Sequence, residues 1–246
     1  MGRTEIVDTA VVPGRHWTGI ALLAVAGVAC NRLGELDRAA VDAFFDPVAR
    51  VFPWRDHWLL AGLLHDGLKR VAVALWLVLA ACWARAAWRR DASIRRPLAF
   101  TLLASLGAAL LVSVVKGASA HACPWDLAVY GGQAPYFRLL DPVPEGAGPG
   151  RCLPSGHAST GFMWIAAVLA CGRWRPRWQA PMLGAVLVAG LAAGVAQVMR
   201  GAHFPSHVLL AAALCWAFCA ACLRLWPGTG NTDSVGEPVT TGGTGR

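Results

Sequence analysis

Residues 98–115 read LAFTLLASLGAALLVSVV, eighteen positions without a charge, and Lys116 closes the run. A helix needs about 20 mainly apolar residues to cross a hydrocarbon layer of ~30 Å. Five further stretches share this character, at 17–30, 71–88, 158–171, 181–199 and 208–226. The first and fourth are short and must borrow flanking residues. The expected fold is all-α, a bundle of six transmembrane helices.

Composition agrees. Of 246 residues, 56% are hydrophobic and 15% charged, and the mean hydropathy is +0.48. Soluble domains carry about 25% charged residues, so this chain has too little polar surface to cover a water-facing globule. One membrane domain is expected over residues 17–226. Residues 1–16 contain Arg3, Glu5, Asp8 and Arg15, unlike a signal peptide. Residues 227–246 are Gly- and Thr-rich, which predicts a disordered tail. The net charge of +8 is dispersed in clusters between apolar runs. That pattern suits membrane lipids as surroundings and gives no sign of a nucleic-acid module.

The loops predict the orientation. Arg85, Arg89, Arg90, Arg95 and Arg96 lie between the second and third stretches, against Asp91 alone. Arg173, Arg175 and Arg177 lie between the fourth and fifth with no acid. Short basic loops stay cytoplasmic, which puts both termini inside and segments 31–70, 116–157 and 200–207 outside, in a cell (inner) membrane. In the first outer segment, Val41, Phe44, Phe45, Val48, Val51 and Phe52 recur at helical spacing around Asp42, Asp46 and Arg50. This predicts a helix lying in the interface as a lid or plug, bent at Pro47.

Residues suited to catalysis gather on the outer side. Lys116 ends the third stretch. Pro154-Ser155-Gly156-His157 opens the fourth. Arg200-Gly201-Ala202-His203-Phe204-Pro205-Ser206-His207 joins the fifth to the sixth. Singly, each has an ordinary reading: a snorkelling lysine, a helix-start turn, interfacial histidines. Together, three sequence-distant pieces at one membrane depth predict a phosphate site. Free N–H groups at a helix start attract phosphate, and Gly156 lets the backbone come close. Lys116 and Arg200 can offset phosphoryl charge. One imidazole can attack phosphorus while a second donates to the leaving oxygen. A metal is not expected. Pro205 belongs in a helix's first turn, so His203 precedes that helix while His207 lies inside it, and no carboxylate stands beside them. No other cofactor is expected either.

The chain resembles the type 2 phosphatidic acid phosphatase family, kin to the vanadium haloperoxidases, over about residues 70–225. The family pattern is Lys, six residues, Arg-Pro; Pro-Ser-Gly-His; and Ser-Arg, five residues, His, three residues, Asp. Here these read Lys116 to Cys123-Pro124, Pro154 to His157, and Ala196-Gln197 to His203 and His207. The resemblance implies that His203 is a nucleophile forming a phosphohistidine and that His157 is the acid for the leaving group. It implies that Lys116, Ser155 and Gly156 hold phosphate oxygens, without a metal, on a lipid phosphate or lipid diphosphate. Cys123 and Gln197 stand where the pattern has Arg, and His207 where it has Asp. Arg200, three residues after Gln197, would share its helix face and can supply the charge. His207 can accept a hydrogen bond from His203 but brings no negative charge.

Six of the eight cysteines fall in or at the ends of spans, where they pack as small apolar residues. Cys123 and Cys152 share one outer loop; on an oxidising side they can form a disulfide pinning two motifs together, and otherwise they are two thiols. The turn- and aromatic-rich stretch 123–137 is suited to cover the pocket. Two other uses of such a site stay open: a phosphotransferase with the same intermediate, in which an acceptor lipid replaces water, and a catalytically silent binder of lipid phosphate.

Overall fold

In the computed structural model, which describes residues 12–227, the apolar runs are helical, one of them broken by a turn. Helix α1 (Gly14–Leu33) meets α2 (Glu35–Asp42) at a bend of 80°, with Gly34 between them at φ 71°. A wider π-helical turn, Trp58–Gly67, leads into α3 (Leu68–Trp88), and α4 (Ala92–Ala118) follows a tight turn. The centre holds α5 (Gly156–Phe162) and α6 (Ile165–Trp174), then α7 (Gln179–Met199) and α8 (Pro205–Leu225).

All six apolar stretches lie on these helices. Among the described residues, four helical rods rather than the expected six are long and apolar enough to cross a membrane, and a fifth counts if the bent α1–α2 pair is one span. The fourth stretch, expected as one helix, is divided: turns at Met163 and Trp164 separate α5 from α6. This pair is the most enclosed part of the bundle, with Phe162, Ile165, Val168 and Leu169 all 2% exposed or less. Its close fit depends on small residues, as in many membrane interfaces. A Cβ on Gly161 would come within 2.5 Å of the Gly190 backbone, so α5 and α7 touch almost backbone to backbone. Most other large apolar side chains on α3 and α4, such as Val71, Leu77, Leu103 and Val114, face outward, as a lipid-facing surface requires.

The outer helix expected over Val41 to Phe52 is not formed: the helix in this segment is α2, Glu35–Asp42, which lies mostly before it. Residues 43–56 form turns in which Asp46 and Val51 pair across an antiparallel bridge. Pro47 is the reason: it has no N–H to donate and forces the preceding residue out of helical geometry. Asp46 Oδ1 then accepts from the N–H groups of Val48 and Ala49 at 2.8 and 2.9 Å. Val41 and Phe52 are buried and Phe44 and Phe45 pack against the core, whereas Val48 and Val51 face outward. Phe45, Phe52 and Tyr130 pack ring against ring, and Phe52 presses on Gly201, where a Cβ would lie 2.4 Å from the ring. The predicted tail falls almost wholly outside the described residues.

Candidate active site

Helix α4 carries Arg95 and Arg96 near one end and Lys116 near the other. At ~1.5 Å per residue, its 27 residues separate these ends by about 40 Å. Lys116 therefore stands at the opposite side of the bundle from the arginine-rich turns, with Gly156, His203 and His207 near it. Its stem runs over Gly156, whose notional Cβ would meet Lys116 Cδ at 3.5 Å. Lys116 Nζ donates to the Arg151 carbonyl at 2.5 Å.

The turn after α7 delivers His203. Gly201 takes φ 71°, a left-handed conformation that suits glycine, and the N–H groups of Ala202 and His203 bond back to the Gln197 carbonyl. Pro205 occupies the first turn of α8, so His203 precedes that helix and His207 sits within it, as the sequence predicts. The rings of His157 and His203 lie 6.4 Å apart between centroids and are tilted by 48°.

His203 is 3% exposed. Its Nδ1 lies 3.3 Å from His207 Nδ1 and 3.3 Å from Cys152 Sγ. Cys152 is joined to Cys123 as a disulfide, which ties the segment after α4 to the segment before α5. Ser155 N–H donates to the His207 carbonyl at 2.9 Å, and Ser155 Oγ accepts from Ala158 N–H at 3.3 Å, capping α5. Burial, then the electrostatic cost of a proton beside His207, His157 and Lys116, holds the His203 pKa well below its usual 6.5. The ring is thus neutral at pH 7, with a single N–H. If His203 Nδ1–H donates to His207 Nδ1, Nε2 is left with a lone pair.

Gln197 and Arg200 share a face of the α7 terminus, and Arg200 Nη1 donates to Gln197 Oε1 at 3.3 Å. Arg200 also donates through Nε to the Arg55 carbonyl at 2.6 Å and lies near the Trp125 ring, so its bonds go to Gln197 and the outer segment. Gln197 is 1% exposed, and among the described residues its Nε2 has no hydrogen-bond partner. A buried amide donor without a partner is costly, and it stands where the family pattern has a phosphate-binding Arg.

One participant escaped the sequence reading. Asp37, on α2, is fully buried; its Oδ1 accepts from Ser206 N–H at 2.8 Å and its Oδ2 from the Ser206 hydroxyl. It thereby caps the first turn of α8 between His203 and His207. The available signal was an acid four residues before Val41, on the inward face of a short helix. Above this layer, Trp125 N–H donates to the Gly201 carbonyl at 2.9 Å and Arg55 lies over the Trp125 ring. The aromatic stretch does cover the turn.

Cys152, His203 and His207 lie close enough to share an ion, with candidate ligand atoms within 4.8 Å of one another. A disulfide sulfur is no thiolate, however, and two imidazoles make an incomplete set for zinc.

The sequence model of the PAP2 superfamily matches residues 97–230, more than half of the chain. The chain therefore belongs to this superfamily, whose chemistry is of the phosphatase type on phosphate esters, and its long apolar helices make it a multi-pass membrane protein. No curated protein and no solved structure matches it.

Proposed function

We propose that this PAP2 superfamily member hydrolyses a lipid phosphate or lipid diphosphate at the non-cytoplasmic face of the cell (inner) membrane, through a phosphohistidine on His203. The observation that carries the reading is the facing pair His157 and His203, 6.4 Å apart, with Lys116 and Gly156 alongside. That gap suits one tetrahedral phosphoryl group with an imidazole on each side. His203 Nε2 attacks phosphorus, and His207 accepts the Nδ1 proton's hydrogen bond, fixing the tautomer. The bond from phosphorus to the leaving oxygen breaks, and protonated His157 gives that oxygen its proton. Neutral His157 then takes a proton from water. The resulting hydroxide displaces His203, and phosphate leaves.

The phosphoryl oxygens need donors, and the site supplies several. Lys116 brings a charge, Ser155 and Gly156 lie beside it, and the Gln197 amide is a buried donor without a partner among the described residues. Arg200, one turn on, reinforces Gln197 through the bond it donates. The orientation follows from the arginine-rich turns at the far end of the bundle, which short-loop charge holds in the cytoplasm. Lateral entry from the bilayer suits a lipid, because the site lies at helix ends next to outward-facing apolar side chains.

The test is phosphate release from a panel of lipid phosphates and diphosphates by the wild type and His203→Ala. Turnover of at least one lipid is expected, lowered roughly 10³-fold or more in the variant. Equal rates from both proteins would remove His203 as nucleophile.

A further inference from the structure

At the end of the bundle away from His203, a second polar cavity of about 120 Å³ opens between four helix termini. Arg15 and His16 come from the start of α1, Arg173 from the end of α6 and Gln179 from the start of α7; Leu169 and Leu223 form apolar wall. The space is several times what one water molecule requires and admits a tetrahedral oxyanion.

The polar lining is one-sided. No acidic side chain lines the cavity, and among the described residues neither Arg15 nor Arg173 has a carboxylate partner. Arg15 Nη2 donates to Gln179 Oε1 at 3.1 Å, which steadies the side chain without using its charge. His16 is 5% exposed, its ring is set edge-on against Trp216 at 5.8 Å, and its Nδ1 has no hydrogen-bond partner among the described residues. A buried ring nitrogen left open beside two guanidiniums is a site for a ligand that accepts hydrogen bonds and carries negative charge. The apolar wall and the position, where the ends of α1, α6, α7 and α8 meet, fit a group with a hydrocarbon neighbour.

We propose that this cavity binds a phosphate oxyanion, supplied by the headgroup of an anionic phospholipid in the leaflet on the arginine-rich side. Arg15 and Arg173 would hold the oxygens, and His16 would complete the set. The site is separate from the catalytic histidines and stands whether or not they hydrolyse a lipid.

The test uses the purified full chain in lipid nanodiscs. Thermal unfolding and native mass spectrometry are read in phosphatidylcholine alone, with added phosphatidylglycerol, and with inorganic phosphate instead. The wild type is expected to unfold at a higher temperature with phosphatidylglycerol, saturably, and to retain a lipid adduct. Arg15→Ala/Arg173→Ala loses most of both effects, while Arg177→Ala, on the neighbouring turn, keeps them. Stabilisation by inorganic phosphate alone would support the anion site with a soluble occupant. Should the double variant not fold in phosphatidylcholine, Arg15→Ala, at an exposed position, carries the same comparison. Undiminished stabilisation and adduct in the folded variant would overturn the proposal.

Discussion

His203 Nδ1 and His207 Nδ1 face each other at 3.3 Å, both side chains at least 97% buried. An imidazole thus occupies the position from which the family pattern's Asp would orient the nucleophile. Replacing it with Ala removes that acceptor but leaves His203 in place. His207→Ala is expected to lower kcat about 100-fold with little change in KM. His207→Asp, which restores an acceptor and adds a charge, should recover much of the loss. Steady-state kinetics on the preferred lipid phosphate would check both.

With His203 as the nucleophile proposed above, its burial sets the acid limb of activity. Its folded-state pKa is lowered, so the ring loses its proton at a pH below its ordinary 6.5 and is neutral above that lowered value. Attack needs the neutral ring, so kcat/KM should hold nearly level as pH falls through 6.5 and drop only further down. The same depression makes stability fall below pH 6.5, where the unfolded chain takes up a proton that the folded ring refuses. A pH–rate profile breaking at or above 6.5 on the acid side would contradict this.

Breaking the Cys123–Cys152 disulfide should loosen the site from two directions. The bond spans 29 residues and brings Cys152 Sγ against His203. A closure of this length stabilises by about 3–4 kcal/mol in the chain-entropy account. Alkylation of the unfolded protein should label two more cysteines after reduction than before. The reduced form, or Cys123→Ser/Cys152→Ser, should unfold at a lower temperature and turn over more slowly.

Asp37 holds the start of α8 through Ser206. Asp37→Ala leaves a buried N–H and hydroxyl without their acceptor, a loss of about 2 kcal/mol, and frees the turn that carries His203. Asp37→Asn, which keeps one carbonyl acceptor, should cost less. Thermal unfolding of both variants with kcat measured alongside tests the ordering; equal stability of Asp37→Ala and the wild type would show that the cap is idle.

Gln197 invites a gain rather than a loss. A guanidinium there would reach toward the phosphoryl oxygens with added charge, but it would also meet Arg200, which now donates to Gln197. Gln197→Arg alone should therefore do little or lower activity. Gln197→Arg with Arg200→Gln should lower KM for the lipid phosphate, measured against the wild type.

What the sequence alone determined is what depends on neighbours in the chain. An uncharged run such as 98–115 must be helical in a hydrocarbon layer, because no other form satisfies its backbone there. Pro205 in the first turn of a helix puts His203 before α8 and His207 within it, and Pro154 to His157 with two partners at fixed gaps carries the resemblance to the family that the sequence model matches. The tertiary structure decided what depends on residues far apart. Asp37 and Ser206 are 169 positions distant, and nothing in either segment encodes their pairing. Arg200 turns to the Arg55 carbonyl because the outer segment packs over it, although helical spacing placed it correctly beside Gln197. The segment from Ala43 to Phe52 is not helical because a proline's missing donor outweighs its apolar period, and α2 ends at Asp42. The cavity around His16 exists because four helix ends converge. Local patterns fix what each helix buries; only packing fixes which partner meets it there.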